Sequence, residues 1–298
     1  MTRFRWRSPR VKLLSILGAL VLIGNSGVTS PANAHPCGLD AACSLDKRVY
    51  RAKAPENWDG VTPLPVLIHF HGWKRDSKHP LKNPKVLKAI NGNSALLVAP
   101  EGLRRTWDFW ERNNRDVPFV RAVIEDVAKR FPIDRSRIYA TGFSYGSAMA
   151  WRVACDAGDL VAGILPAAGT LYRQDGIDCP TGPMNVMHVH GFKDNVMDLP
   201  LGPDGNPNVA VELWRRTNMC AQEPDHTETL NGHTCLTWST CQSGKEVMLC
   251  LHERGHIVPK GWISNALKRA LERYQLGEGA FSHADEPSAA TDSTSQSN

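Results

Sequence analysis

Gly142-Phe143-Ser144-Tyr145-Gly146 is the segment of this sequence best suited to chemistry. A serine at which a strand turns abruptly into a helix is held in a strained backbone conformation, and there is no room for side chains on either side of it. The flanks fit this geometry: Arg137 to Thr141 reads as a strand and Ser144 to Cys155 as a helix, whose N-terminus places its positive dipole end beneath the serine. A serine hydroxyl is a poor nucleophile, so it needs a base, and the base needs an acid to orient it. Asn185 to His190 is an apolar run leading into Gly191-Phe192-Lys193-Asp194, and Val247 to His252 leads into Glu253-Arg254-Gly255-His256. Serine, acid and histidine then stand at three successive strand ends, in the chain order that a strand–turn–helix hydrolase requires. The predicted triad is Ser144, Asp194 and His256.

Rival residues fit less well. Asp175 and Asp178 also follow the serine, but no strand leads into them. His252 falls inside the last strand, and His226 and His233 lie in a polar stretch. An acyl-transfer site also needs two backbone amides aimed at the developing oxyanion. The residue after the nucleophile, Tyr145, supplies one, and Trp73 in His69-Phe70-His71-Gly72-Trp73 supplies the other, with Gly72 as its neighbouring alternative. Trp107 and Trp110 are expected near the cleft as a surface for an acyl chain or ring. His69-x-His71 and His188-x-His190 place paired imidazoles on strand faces and invite a dinuclear metal reading. The carboxylate-rich extensions such centres use are missing, so neither metal nor cofactor is expected.

The elements that must position these groups are short apolar strands alternating with amphipathic helices. Strands are expected at Lys47 to Ala52, Val66 to Phe70, Ala95 to Val98, Arg137 to Thr141, Ala162 to Pro166 and Asn185 to His190. A hairpin from Cys235 to His252 turns at Ser243-Gly244. Helices are expected from Asp116, with Asp116 as cap, then over Ser144 to Cys155, Val209 to Thr217 and Trp262 to Tyr274. Such alternation implies an α/β fold with a mostly parallel central sheet and helices on both faces.

The chain has 298 residues, 42% hydrophobic and 22% charged, which argues against wholesale disorder or a polytopic membrane protein. Its net charge of +5 comes from Arg3, Arg5, Arg7, Arg10 and Lys12; the rest carries 30 basic against 30 acidic residues, so nothing global points to nucleic acid. A basic start, an apolar run from Leu13 to Ile23 and Ala32-Asn33-Ala34 read as a signal peptide over residues 1–34, too short to remain as a membrane anchor. The catalytic domain is then 35–283, followed by a Ser/Thr-rich tail at 284–298 expected to be disordered. All eight cysteines follow the cut, as expected of a secreted or periplasmic disulfide-bonded protein. Proximity suggests Cys37 with Cys43 and Cys155 with Cys179, the last four pairing among themselves, although sequence leaves connectivity open.

From Arg48 to Tyr274 the chain resembles the polyhydroxybutyrate depolymerase family, secreted esterases related to feruloyl and acetylxylan esterases. The resemblance is carried by Leu64-Pro65-Val66 leading to His71-Gly72, by Trp107-Asp108-Phe109-Trp110 and by Ile133-Asp134-Arg135-Ser136-Arg137-Ile138-Tyr139-Ala140-Thr141-Gly142-Phe143-Ser144. It continues through His190-Gly191 with Asp194 and Gly255-His256 with Pro259 and Gly261. It implies an α/β-hydrolase fold, no cofactor, and Ser144, Asp194 and His256 as the triad. Tyr145 and Ser147 stand where the family often has Asn and Gly, and Arg254 where it often has a second glycine. The expected activity is hydrolysis of an ester, monomeric or polymeric, of polyhydroxybutyrate type. Alternatives are a feruloyl or acetylxylan esterase, a peptidase, and a catalytically silent binding protein on the same fold.

Overall fold

The computed structural model describes residues 38, 41–110, 114–172, 179, 181–201, 208–230 and 232–275. The chain divides into units 1–33 and 34–298, and every described residue belongs to the second. The expected leader, the expected tail, and Asp175 and Asp178 lie outside the described residues. A polar hairpin, β1 (Cys43–Leu45) and β2 (Arg48–Lys53), precedes the buried strand β3 (Leu64–Phe70). Two short helices follow, α1 (Lys78–Lys82) and α2 (Pro84–Gly92), then β4 (Leu96–Pro100) and α3 (Asp116–Arg130). The elbow region is β5 (Ile133–Phe143), α4 (Tyr145–Asp156) and β6 (Gly163–Ala167). The rest is β7 (Asn185–Gly191), α5 (Val209–Thr217), β8 (His226–Leu230), β9 (His233–Trp238), β10 (Val247–His252) and α6 (Trp262–Arg273).

Ten strands form one sheet in the order β1-β2-β4-β3-β5-β6-β7-β10-β9-β8. The six in the middle are parallel, and each edge is extended by antiparallel strands. The fold is the expected α/β-hydrolase type. Alternation along β3 shows how the layers form: Val66, Ile68 and Phe70 enter a core shared with α3, α4 and α5, while Leu67 enters one shared with α2 and α6. On that second side the buried Glu246 accepts hydrogen bonds from Arg269 (2.7 Å) and Arg273 (2.9 Å), which fixes α6 to the start of β10. The cap of α3 differs from expectation. Asn114 Oδ1 accepts the Asp116 and Val117 amides, whereas the buried Asp116 carboxylate accepts the Asp108 amide at 2.6 Å and pairs with Arg48 at 2.6 Å.

Disulfides join Cys155 to Cys179, Cys220 to Cys241 and Cys235 to Cys250, the last one across the β9–β10 ladder. Cys43 is also disulfide-bonded, and Cys37 lies outside the described residues. No cysteine among the described residues is free. No described helix is long and apolar enough to cross a membrane.

Candidate active site

At the end of β5 the chain reverses through Ser144, with φ 59° and ψ −123°, and enters α4 at the next residue. A non-glycine residue in that region is strained by about 1–3 kcal/mol and persists only where its surroundings hold it. Here the backbone is packed too tightly to relax. A Cβ on Gly142 would lie 2.3 Å from the Gly146 carbonyl, and one on Gly146 would lie 2.1 Å from Phe70 O. Gly146→Ala is therefore expected to cost at least about 3 kcal/mol, a fall in melting temperature of about 6–12 °C. Gly182→Ala, where an added Cβ meets nothing within 4 Å, should leave the melting temperature unchanged. Ser147, one turn into the helix, is fully buried, and a Cβ on Gly169 would lie 2.7 Å from its own Cβ, so it packs beneath the elbow rather than bordering the cleft.

Asp194 and His256 meet beside the elbow. His256 Nδ1 donates to Asp194 Oδ2 at 2.7 Å, and the imidazole packs on Phe143, the residue before Ser144, with ring centroids 4.5 Å apart. The other carboxylate oxygen, Oδ1, accepts the Val196 and Met197 amides, each at 2.9 Å. Burial opposes charge on this carboxyl, yet the bonds from His256, Met197 and Val196 together hold its pKa below the ordinary value. Asp194 thus stays an anion while both of its oxygens are committed to fixed donors.

The loop after β3 closes the other side. His71 accepts the Gly102 amide at Nε2 (3.0 Å), so its proton is on Nδ1, which donates to Gly72 O (2.9 Å). Trp107 is 2% exposed and donates from its indole to His71 O at 2.7 Å. This corrects the expectation that Trp107 faces a ligand: it supports the loop from within the core, its ring packed on Phe70 and His71. Trp73 itself is 55% exposed and its ring lies 6.1 Å from that of Tyr145. The Trp73 and Tyr145 amides donate to no carbonyl among the described residues.

Trp110 remains at the surface, 43% exposed, and continues the same aromatic face. Its ring centroid is 6.3 Å from Tyr145, 4.6 Å from Phe109 and 4.6 Å from Tyr172, and the Tyr172 hydroxyl reaches Met197 Sδ at 3.5 Å. Trp73, Tyr145, Trp110 and Tyr172 therefore form an aromatic wall from the Gly72 loop to the Asp194 loop.

The comparisons with known proteins fit this geometry. No profile of a known protein family matches the chain. It is 24% identical over 263 residues to a probable feruloyl esterase C of Aspergillus flavus, covering 85% of this chain and 94% of that one. It is 28% identical over 270 residues to feruloyl esterase D of Neurospora crassa, covering 82% and 87%. The chain has the α/β-hydrolase fold and is similar in sequence to feruloyl esterases. Against feruloyl esterase B of Piromyces equi it is 26% identical over 68% of its length, and it spans 41% of that longer protein. Among solved structures, an acetyl xylan esterase from Aspergillus awamori superposes with a TM-score of 0.55 at 14% identity, over 72% of this chain and 90% of the other. That likeness speaks to the fold. The relatives named are feruloyl esterases.

Two further features of the chain escaped the sequence. His188 and His190 are fully buried: His188 Nε2 lies 3.1 Å from His190 Nδ1, and His190 Nε2 donates to Met197 O at 2.8 Å. His190 is thereby tied to the turn that holds Asp194, and burial pushes both imidazoles below their ordinary pKa. The only signal was the alternate spacing, which equally suits a metal. Among the described residues no group of three or more His, Cys, Asp or Glu side chains is placed to hold a metal ion. Tyr172 gave no signal, since it follows β6 in a stretch without periodicity.

Proposed function

We propose that the chain is an exported serine esterase that hydrolyses aromatic acyl esters of the feruloyl type, through an acyl-enzyme on Ser144. The observation that carries this reading is the juxtaposition of the strained Ser144 with the hydrogen-bonded Asp194–His256 pair. Ser144 Oγ attacks the ester carbonyl while His256 Nε2 takes its proton; the Tyr145 and Trp73 amides stabilise the oxyanion. The tetrahedral intermediate collapses, and His256 returns the proton to the departing alcohol. Water, deprotonated by His256, then releases the acid. Among the described residues no hydrogen bond joins Ser144 to His256, whose ring packs on Phe143; catalytic contacts of this kind tighten in the complex with substrate. The aromatic wall beside Ser144 supports the acyl preference, because stacked rings favour a planar aromatic group by about 0.5–1.5 kcal/mol beyond area burial. Disulfides among the described residues support export.

A substrate panel tests the reading. Methyl ferulate should be cleaved with a kcat/KM at least about tenfold above that for an acetyl ester or a short hydroxybutyrate oligomer, and Trp110→Ala should remove most of that preference. Preference for the hydroxybutyrate oligomer would return the polymer reading; cleavage of amides alone would indicate a peptidase.

A further inference from the structure

The loop that carries His256 also walls a separate cleft of about 880 Å³, lined on that side by His252, Glu253, Arg254, Pro259, Lys260 and Gly261 and on the other by Pro84, Lys85, Lys88 and His233. The cleft concentrates positive charge. Lys88, Arg254 and Lys260 are exposed and have no carboxylate partner among the described residues, and Lys85 Nζ donates to Val258 O. The one acidic side chain, Glu253, already faces Lys193 at 4.0 Å. Two helices also begin here. The first turn of α2, at Pro84 and Lys85, and the first turn of α6, after Gly261, both border the cleft, and neither contains an acidic residue. Each contributes the positive end of its dipole.

An unsatisfied donor completes the set. His252 is 4% exposed, and its Nδ1 accepts the Arg254 amide at 3.1 Å. Burial and the neighbouring His233 hold the ring below the ordinary imidazole pKa, so the neutral ring carries its proton on Nε2. That Nε2 has no hydrogen-bond partner, and neither has Nδ1 of His233, whose ring centroid lies 5.7 Å away. Buried donors left without acceptors are costly, and four cationic side chains around two imidazoles repel a metal ion as strongly as they attract an anion.

We infer that this cleft binds an oxyanion group, the carboxylate of an acidic sugar or a phosphate, with Lys85, Lys88, Arg254 and Lys260 as the counter-charge, and that a small shift of the His252 ring brings its buried Nε2–H to the anion. The same loop joins the cleft to the reactive centre: Phe192 N donates to His252 O at 2.8 Å and Lys193 N to Arg254 O at 3.2 Å, just before Asp194. The site lies beyond the residues of ester cleavage and does not depend on them.

Calorimetric titration of the purified protein with inorganic phosphate, sodium glucuronate and glucose tests the inference, alongside imidazole nitrogen–proton NMR spectra. At least one anion is expected to bind with a Kd of about 1 mM or tighter and to shift the His252 Nε2–H resonance, while glucose does neither. The double variant Lys88→Ala/Lys260→Ala should weaken that binding at least about tenfold and leave turnover of a neutral ester unchanged. Ser144→Ala should bind the anion as the parent does, which separates failure here from failure of the esterase reading. Glucuronate binding alone assigns the site to acidic sugars, and phosphate binding alone to phosphate groups. No binding of either anion at about 10 mM, equal binding of glucose, or binding unaffected by the double variant would overturn the inference.

Discussion

Ser144→Ala is expected to lower kcat on a feruloyl ester by about six orders of magnitude with little change in melting temperature. The hydroxyl is the proposed nucleophile, and no other group in the described site can replace it: Tyr145 presents its backbone amide, and Ser147 is buried beneath the elbow. The fold should tolerate the loss, because the strained φ of 59° belongs to the backbone and alanine carries the same Cβ as serine. A residual rate above water is still expected from the oxyanion donors and bound-state alignment. A serine-directed organophosphonate should label the parent once and the variant not at all, as read by intact mass. Retention of more than about 1% of parental kcat in the variant would place the chemistry elsewhere.

The elbow was legible because its chemistry constrains the backbone. Gly142 and Gly146 are required by clashes with one another and with Phe70 O, so the constraint is written directly in residue type. Asp194 and His256 were legible for a different reason: β7 and β10 are fully buried and apolar, which marks where each strand stops and its loop begins. Trp107 was misread because a tryptophan packed behind a loop and one lining a cleft look the same in sequence; only its bond to His71 O separates them. The strand β8, with sequence His-Thr-Glu-Thr-Leu, was missed because an edge strand paired only to β9 needs no apolar face. The helix α2 carried readable signals, Asn83 as cap, Pro84 at its first position and Val86, Ala89 and Ile90 buried, but it is short and rich in lysine. The cleft of Lys88 and His252 was illegible for a deeper reason, since these two residues stand 252 − 88 = 164 positions apart and meet only when α2 and α6 share one face of the sheet.

Asp194→Asn is expected to lower kcat by about four orders of magnitude while leaving the fold in place. The two oxygens of Asp194 have separate duties. Oδ1 accepts the Val196 and Met197 amides and shapes the loop, and an asparagine retains that oxygen. Oδ2 accepts from His256 Nδ1, and there the asparagine presents an amide N–H instead. His256 must then turn Nδ1 into an acceptor, which moves its proton to Nε2, the nitrogen that has to take the proton of Ser144. The variant should therefore lose kcat with KM nearly unchanged, whereas a collapsed loop would raise KM and lower the melting temperature together. A pH series gives an independent reading. The Asp194 carboxyl is held below its ordinary pKa, so its charged form contributes stability at pH above the unfolded carboxylate range, and that contribution is lost as pH falls through the folded value. Asparagine has no such contribution to lose. The stability gap between parent and variant, measured from denaturant midpoints, should be widest near neutral pH and should narrow toward about pH 3. A gap independent of pH, or a variant that keeps its turnover, would assign the acid to another residue.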